Sequence, residues 1–250
     1  MSDYLNQVKV YFRFSKEEVK GFVLLVLLFS IIFSFDKWGP KDGAFDFIYG
    51  LNNLIIAFFI SFVSVFIHHS AQKLMAIYYK LNAEITIWWY GIIIAIMFIL
   101  ISNGEIKVLA ASALIVSPMV KHRFGQPRFG ERFSHASMIA LMGPLANIFL
   151  ATIIKTLDVW FGFNLISGQG FWYDLFWFNW MMALYNFLPI PPLDGSKIFF
   201  ASRLAYAFAF GCIVGYIFLF GVGIYSYIFA VIIGALFWLL FYIFFERKWA

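Results

Sequence analysis

Apolar residues run along this chain in long blocks separated by short polar punctuation. Residues 21–35 make a first, rather short block. Residues 51–79 predict a long helix whose second half carries His68, His69 and Gln72. The pattern then changes: over 83–88, Glu84 and Thr86 alternate with Ile85 and Ile87, which predicts a strand. Residues 91–102 are continuously apolar, and 106–116 are rich in Ala, Val and Ile between Gly104 and Pro118. Periodicity leaves these two stretches open, either as two spans or as a helix and a re-entrant strand. Residues 134–157, 171–188, 198–220 and 224–245 predict further helices. Residues 1–20 read as a short amphipathic lead-in, and 36–46, 121–132 and 161–170 as polar loops with glycine or proline punctuation. No internal repeat is visible, so residues 1–250 are taken as one membrane domain.

Composition turns that pattern into a class. The chain is 63% hydrophobic, 22% aromatic and 12% charged. Soluble domains carry about 25% charged residues, so half of the usual solvated surface is missing. Several windows reach the roughly 18 apolar residues that mark a spanning helix. These features predict a multi-pass integral membrane protein. Its first block follows some polar residues and has no small-residue cleavage site, as expected of a retained helix. The net charge of +5 resides in loops and reads as topology and contact with the lipid bilayer, not as nucleic-acid binding. Cys212, the single cysteine, excludes an intrachain disulfide framework. Placing both termini in the cytoplasm puts Lys73, Lys80, the basic loop 121–132, Lys197, Arg203, Arg247 and Lys248 inside, and leaves Lys37, Lys41 and Lys155 outside. The same assignment brings His68 and Asp194 to the same end of their helices.

Asp194 stands where an aromatic apolar run breaks. The stretch Asn186-Phe187-Leu188-Pro189-Ile190-Pro191-Pro192-Leu193-Asp194-Gly195 puts three prolines, a carboxylate and a glycine where a membrane helix would otherwise continue. Proline removes backbone donors, and hydrocarbon penalises the carbonyls it frees. Such a break survives where protein or a wet cavity supplies partners, and an aspartate there marks a functional site.

Three blocks in this order resemble the site-2 protease family of intramembrane zinc metalloproteases. Phe66-Ile67-His68-His69-Ser70-Ala71-Gln72-Lys73 aligns with that family's H-E-x-x-H helix, Gly143-Pro144-Leu145-Ala146-Asn147 with its G-P-x-x-N helix, and Asn186 to Gly195 with its N-x-x-P-x-P-x-x-D-G segment. The strand at 83–88 also suits the small sheet such proteins place after the first block. The resemblance covers roughly residues 50–200, leaving two additional C-terminal helices over 198–245. It implies that His68 and Asp194 are zinc ligands, that Gln72 stands at the second histidine ligand, and that His69 stands at the glutamate that activates water. It further implies that Asn147, Asn186, Pro189, Pro191 and Pro192 contact substrate, a membrane-protein or transmembrane-peptide segment.

Residues four apart on a helix share a face, so 68 and 72 are placed to clasp an ion. Catalytic zinc nevertheless takes three ligands from Cys, His, Asp or Glu, and an amide oxygen suits harder cations. A neutral imidazole at 69 is able to accept a proton, but it lacks a carboxylate's charge balance beside a cation. Plainer readings stand beside each role. His68 and His69 suit a polar pair inside a bundle, Gln72 interhelical hydrogen bonding, and Gly143-Pro144 with Asn147 a packed kink. Asp194 suits an N-terminal cap for a helix beginning near Ser196. Lys73 is expected to snorkel to headgroups, and His122 and His135 to lie at the surface. The tryptophan and tyrosine clusters at 88–90 and 172–173 read as interface anchors.

The expected fold is an all-α polytopic bundle of seven or eight apolar helical segments with a small strand element. The leading functional expectation is a non-cleaving homologue that binds or regulates membrane-protein segments. An active intramembrane zinc metalloprotease is the alternative. A transporter built around a broken helix comes third, since it predicts paired breaks and one is evident.

Overall fold

The computed structural model describes residues 2–39, 45–119, 133–162, 170–218 and 226–246. It is mostly helical, with one two-stranded sheet. The lead-in contains a helix, α1 (Ser2–Tyr11), and a second helix, α2 (Lys16–Ser34), that begins earlier than the apolar block. A capping box sets that start: the Glu18 amide donates to Ser15 Oγ over 3.2 Å, and the Ser15 amide donates to Glu18 Oε2 over 2.7 Å.

Helix α3 (Phe47–Tyr78) is capped by Asp46, whose carboxylate accepts from the Ile48 and Tyr49 amides. Its 32 residues rise about 48 Å, more than the ~30 Å of a hydrocarbon core. Lys80, with φ of 58°, turns the chain into β1 (Leu81–Ile87). Helix α4 (Trp89–Ile101) follows and stops at Asn103 and Gly104, both with positive φ. The chain returns as β2 (Ser112–Pro118), antiparallel to β1, with Leu81 opposite Pro118 and Ile87 opposite Ser112. The alternative left open for 106–116 thus resolves as a strand and its approach, not a span.

Helix α5 (Phe133–Phe161) carries Pro144 in its interior, and α6 (Phe171–Asn186) ends at the proline break. After the break come α7 (Asp194–Ala201), α8 (Arg203–Phe218) and α9 (Ser226–Phe241), which closes in a π-helical turn over Tyr242–Glu246. The block expected as one span over 198–220 is divided: Ser202 is extended between α7 and α8.

Three helices among the described residues are long and apolar enough to cross a membrane, Phe47–Tyr78, Phe133–Asp158 and Ser226–Glu246. Large apolar side chains on their outer faces, such as Phe59, Phe149 and Val231, are exposed to the surroundings. The protein is an integral membrane protein. Helix α3 lies at its centre, packed on α2 and α5, while α5 also packs on α6 and α7. One buried apolar cluster joins α2, α3 and α6 through Phe29, Ile60, Phe178 and Met182. A second joins the sheet, α5, α7 and α8 through Ala83, Leu114, Ile139, Ile198 and Ile213.

Two basic residues depart from expectation. Lys73 does not snorkel: it is buried, and its Nζ lies 2.8 Å from Glu18 Oε1. Lys155 is buried inside α5 and donates to Ser226 Oγ, so it is not a loop charge that reports topology. His135 is half-buried and stacks on Tyr79, with ring centroids 4.4 Å apart. The basic loop 121–132, His122, and the C-terminal Arg247 and Lys248 lie outside the described residues.

Candidate functional site: a histidine–glutamine–aspartate cluster

Three helices bring the site together. His68, His69 and Gln72 come from α3, Asn147 from α5, and Asp194 from the first turn of α7 directly after α6 and the break. All five side chains are buried. The bundle can close this tightly because α5 offers a glycine to α3. A Cβ on Gly143 would collide with His68 Nε2 and Gln72 Nε2.

The break itself explains how Asp194 reaches the interior. Residues 187–193 are non-helical, and their freed carbonyls find partners inside the protein. Tyr206 donates its hydroxyl to the Phe187 carbonyl (3.1 Å), and Lys197 Nζ donates to the Pro192 carbonyl (3.0 Å). The Leu193 amide donates to the Ile190 carbonyl (2.8 Å), and Ser196 Oγ donates to the Leu193 carbonyl (2.7 Å). Gly195 sits where any side chain would strike the Phe187 carbonyl, so the chain folds back onto the end of α6. Asn186 is buried, and its amide donates to the Leu109 and Met182 carbonyls. Pro189 and Pro191 are exposed and Pro192 half-buried.

Asp194 is not an N-cap. Leu193 holds that position without a side-chain bond, and the Asp194 carboxylate turns across the bundle instead. Its Oδ2 lies 3.1 Å from His68 Nε2 and accepts from Gln72 Nε2 over 2.8 Å. Gln72 Oε1 lies 3.1 Å from His69 Nδ1, and Asn147 Oδ1 lies 3.1 Å from His68 Nδ1. The plainer readings of Gln72 and the histidines therefore describe these contacts: a polar network joining helices across the bundle. Asn147 is part of it and more than a kink residue. Within this cluster two nitrogens have no hydrogen-bond partner among the described residues, His69 Nε2 and Asn147 Nδ2. Turning the Asn147 amide would offer that N–H to His68 Nδ1 and leave Nε2 to donate to Asp194.

The residues can be tested against zinc on this geometry. Ligand atoms on a tetrahedral zinc, each about 2.0–2.1 Å from the ion, stand roughly 3.3 Å apart. The separation of His68 Nε2 from Asp194 Oδ2 would suit two of them. The third position decides against the ion. Gln72 presents an amide nitrogen there, 3.3 Å from His68 Nε2 and hydrogen-bonded to the carboxylate. That nitrogen is a donor with no lone pair to give a metal, and turning the amide would offer only a neutral carbonyl oxygen, outside the Cys, His, Asp and Glu set that catalytic zinc takes. Among the described residues no group of three or more His, Cys, Asp or Glu side chains converges on a metal position. The residues present do not fit a catalytic zinc.

A second buried carboxylate beside α3 has no role in the sequence reading. Glu18 is buried and turned to Lys73, to the Ser15 amide and to the Ile85 amide. Glu84, the nearest acid along the chain, is exposed and accepts from Asn82. The signal for Glu18 was the Ser15-to-Glu18 spacing, which is that of a capping box and marks the start of α2.

No protein-family model matches the chain, and no solved structure matches it significantly. A curated protein of Methanocaldococcus jannaschii named "Putative zinc metalloprotease" is 28% identical over 214 residues, covering 82% of this chain and 95% of that protein. That similarity agrees with the three sequence blocks, and the chain resembles the site-2 protease family as an integral membrane protein of protease type.

Proposed function

We propose that this chain is a non-cleaving homologue of an intramembrane metalloprotease, one that binds or retains membrane-protein segments. The observation that carries the reading is the Gln72 amide donating to Asp194 over 2.8 Å. A hydrogen bond there does what a shared metal would do mechanically: it ties α3 to α7 across the bundle. It supplies no Lewis acid and no activated water. His69 adds no carboxylate at the general-base position, and its Nδ1 is directed to Gln72. The break at 187–193, with Pro189, Ile190 and Pro191 exposed, remains available as a contact surface for a transmembrane client.

The second reading is a working metalloprotease, favoured by the 3.1 Å spacing of His68 and Asp194 and by the name of the Methanocaldococcus relative. One experiment separates them. The protein is purified in detergent, and bound zinc is measured in the wild type, in Asp194→Ala, and in His69→Glu combined with Gln72→His. The non-cleaving reading expects no stoichiometric zinc in the wild type and zinc with cleavage of a model membrane segment in the double variant. Stoichiometric zinc in the wild type, lost in Asp194→Ala, establishes the protease reading instead.

A further inference from the structure

An apolar groove of about 340 Å³ lies between α2 and the outer side of α3, away from the site. Val19, Phe22 and Val23 form one wall, and Phe58, Phe62 and Phe66 form the other. The three phenylalanines recur every fourth residue and so line a track about 12 Å long on α3. The groove's lining is wholly apolar, which suits a hydrocarbon chain.

The mouth of the groove is basic. Phe14 closes one end, its ring 6.2 Å from Phe66. Beside it, Arg13 and Lys16 are exposed, and among the described residues neither makes an ion pair. The acids nearby are already engaged: Glu17 pairs with Lys20 at 2.8 Å, and Glu18 turns inward to Lys73. Two unpaired cations thus stand where the apolar track meets the polar start of α2. A pair of cations at the polar end of an apolar track is suited to an anionic lipid headgroup.

We propose that this groove seats one acyl chain of an anionic phospholipid whose phosphate is held by Arg13 and Lys16. The occupant would reach the machinery of the bundle through Phe14, since the ring under the groove's end also carries Lys73 Nζ, 4.9 Å from its centroid, and Lys73 follows Gln72 on α3.

The test uses the full chain in bilayers of phosphatidylcholine with a minor fraction of phosphatidylglycerol, released into the gas phase for native mass spectrometry. One phosphatidylglycerol per chain is expected to be retained in preference to phosphatidylcholine. Arg13→Gln with Lys16→Gln should lower that retention about tenfold or more. Val23→Trp, at a site exposed enough to accept the larger ring, should fill the groove and abolish it, with the thermal midpoint unchanged. Equal retention of both lipids overturns the proposal. So does retention that survives either variant, because loss on charge removal alone would mean surface attraction without a seated chain. A transmembrane peptide that cross-links in the groove and displaces no lipid also overturns it.

Discussion

Gln72 and Asp194 are 122 positions apart in the chain, and the amide nitrogen of one is 2.8 Å from the carboxylate of the other. The bond spans α3 and α7 within the buried interior, where an unmet carboxylate is costly. It makes the glutamine a structural counterpart of whatever else would neutralise that carboxylate.

Gln72→Leu is therefore expected to destabilise the protein by about 1–3 kcal/mol, the cost of leaving a buried acceptor unmet. Thermal unfolding in detergent measures it. An unchanged midpoint would mean that Asp194 draws its stabilisation from His68 alone.

Gly143→Ala tests the approach of α5 to α3 through the sign of its effect. In an unobstructed helix interior, alanine gains roughly 0.5–1 kcal/mol over glycine. Here the added methyl meets His68 and Gln72, and overpacking costs about 1–3 kcal/mol. Destabilisation is expected; a stabilised variant would show that the two helices have room to part.

Breaking one side of the Glu18–Lys73 pair strands the other ion, each being 5% exposed at its side chain. Glu18→Gln or Lys73→Met alone should cost about 3–5 kcal/mol, whereas Glu18→Leu with Lys73→Met together should recover most of that loss. The same unfolding measurement serves. Additive losses in the double variant would contradict the pairing.

Tyr206→Phe removes the donor to the Phe187 carbonyl at the head of the break. A loss of about 1–3 kcal/mol is expected, accompanied by faster proteolysis around residues 187–193. Unaltered cleavage there would show that the break is held by its remaining bonds.

Much of this arrangement could be read from the chain. The spacing of Pro189, Pro191 and Pro192 before Asp194 announced a helix break, because proline's chemistry is local. The convergence of His68 with Asp194 followed from helix ends and charge placement, and β1 from its alternation. What escaped was decided between distant segments. Lys73 was expected at the headgroups, since nothing within α3 reveals that Glu18 folds in beside it. Asp194 suits a cap as well as a ligand when read along the chain alone. Its carboxylate went to Gln72 because α5 allowed α3 so near, and that allowance is visible only once Gly143 is seen against the imidazole. Residues 106–116 stayed ambiguous because a short apolar run has no period of its own, and pairing with Leu81–Ile87 settled it.

Glu18 has one more effect, on the sheet's outer rim. A ribbon of two strands leaves a row of amides on either side ready to zip onto a neighbour. On the β1 side the Ile85 amide already donates to Glu18 Oε1, over 3.3 Å. An extended segment pairing along that edge would have to displace the Glu18 carboxylate at its midpoint.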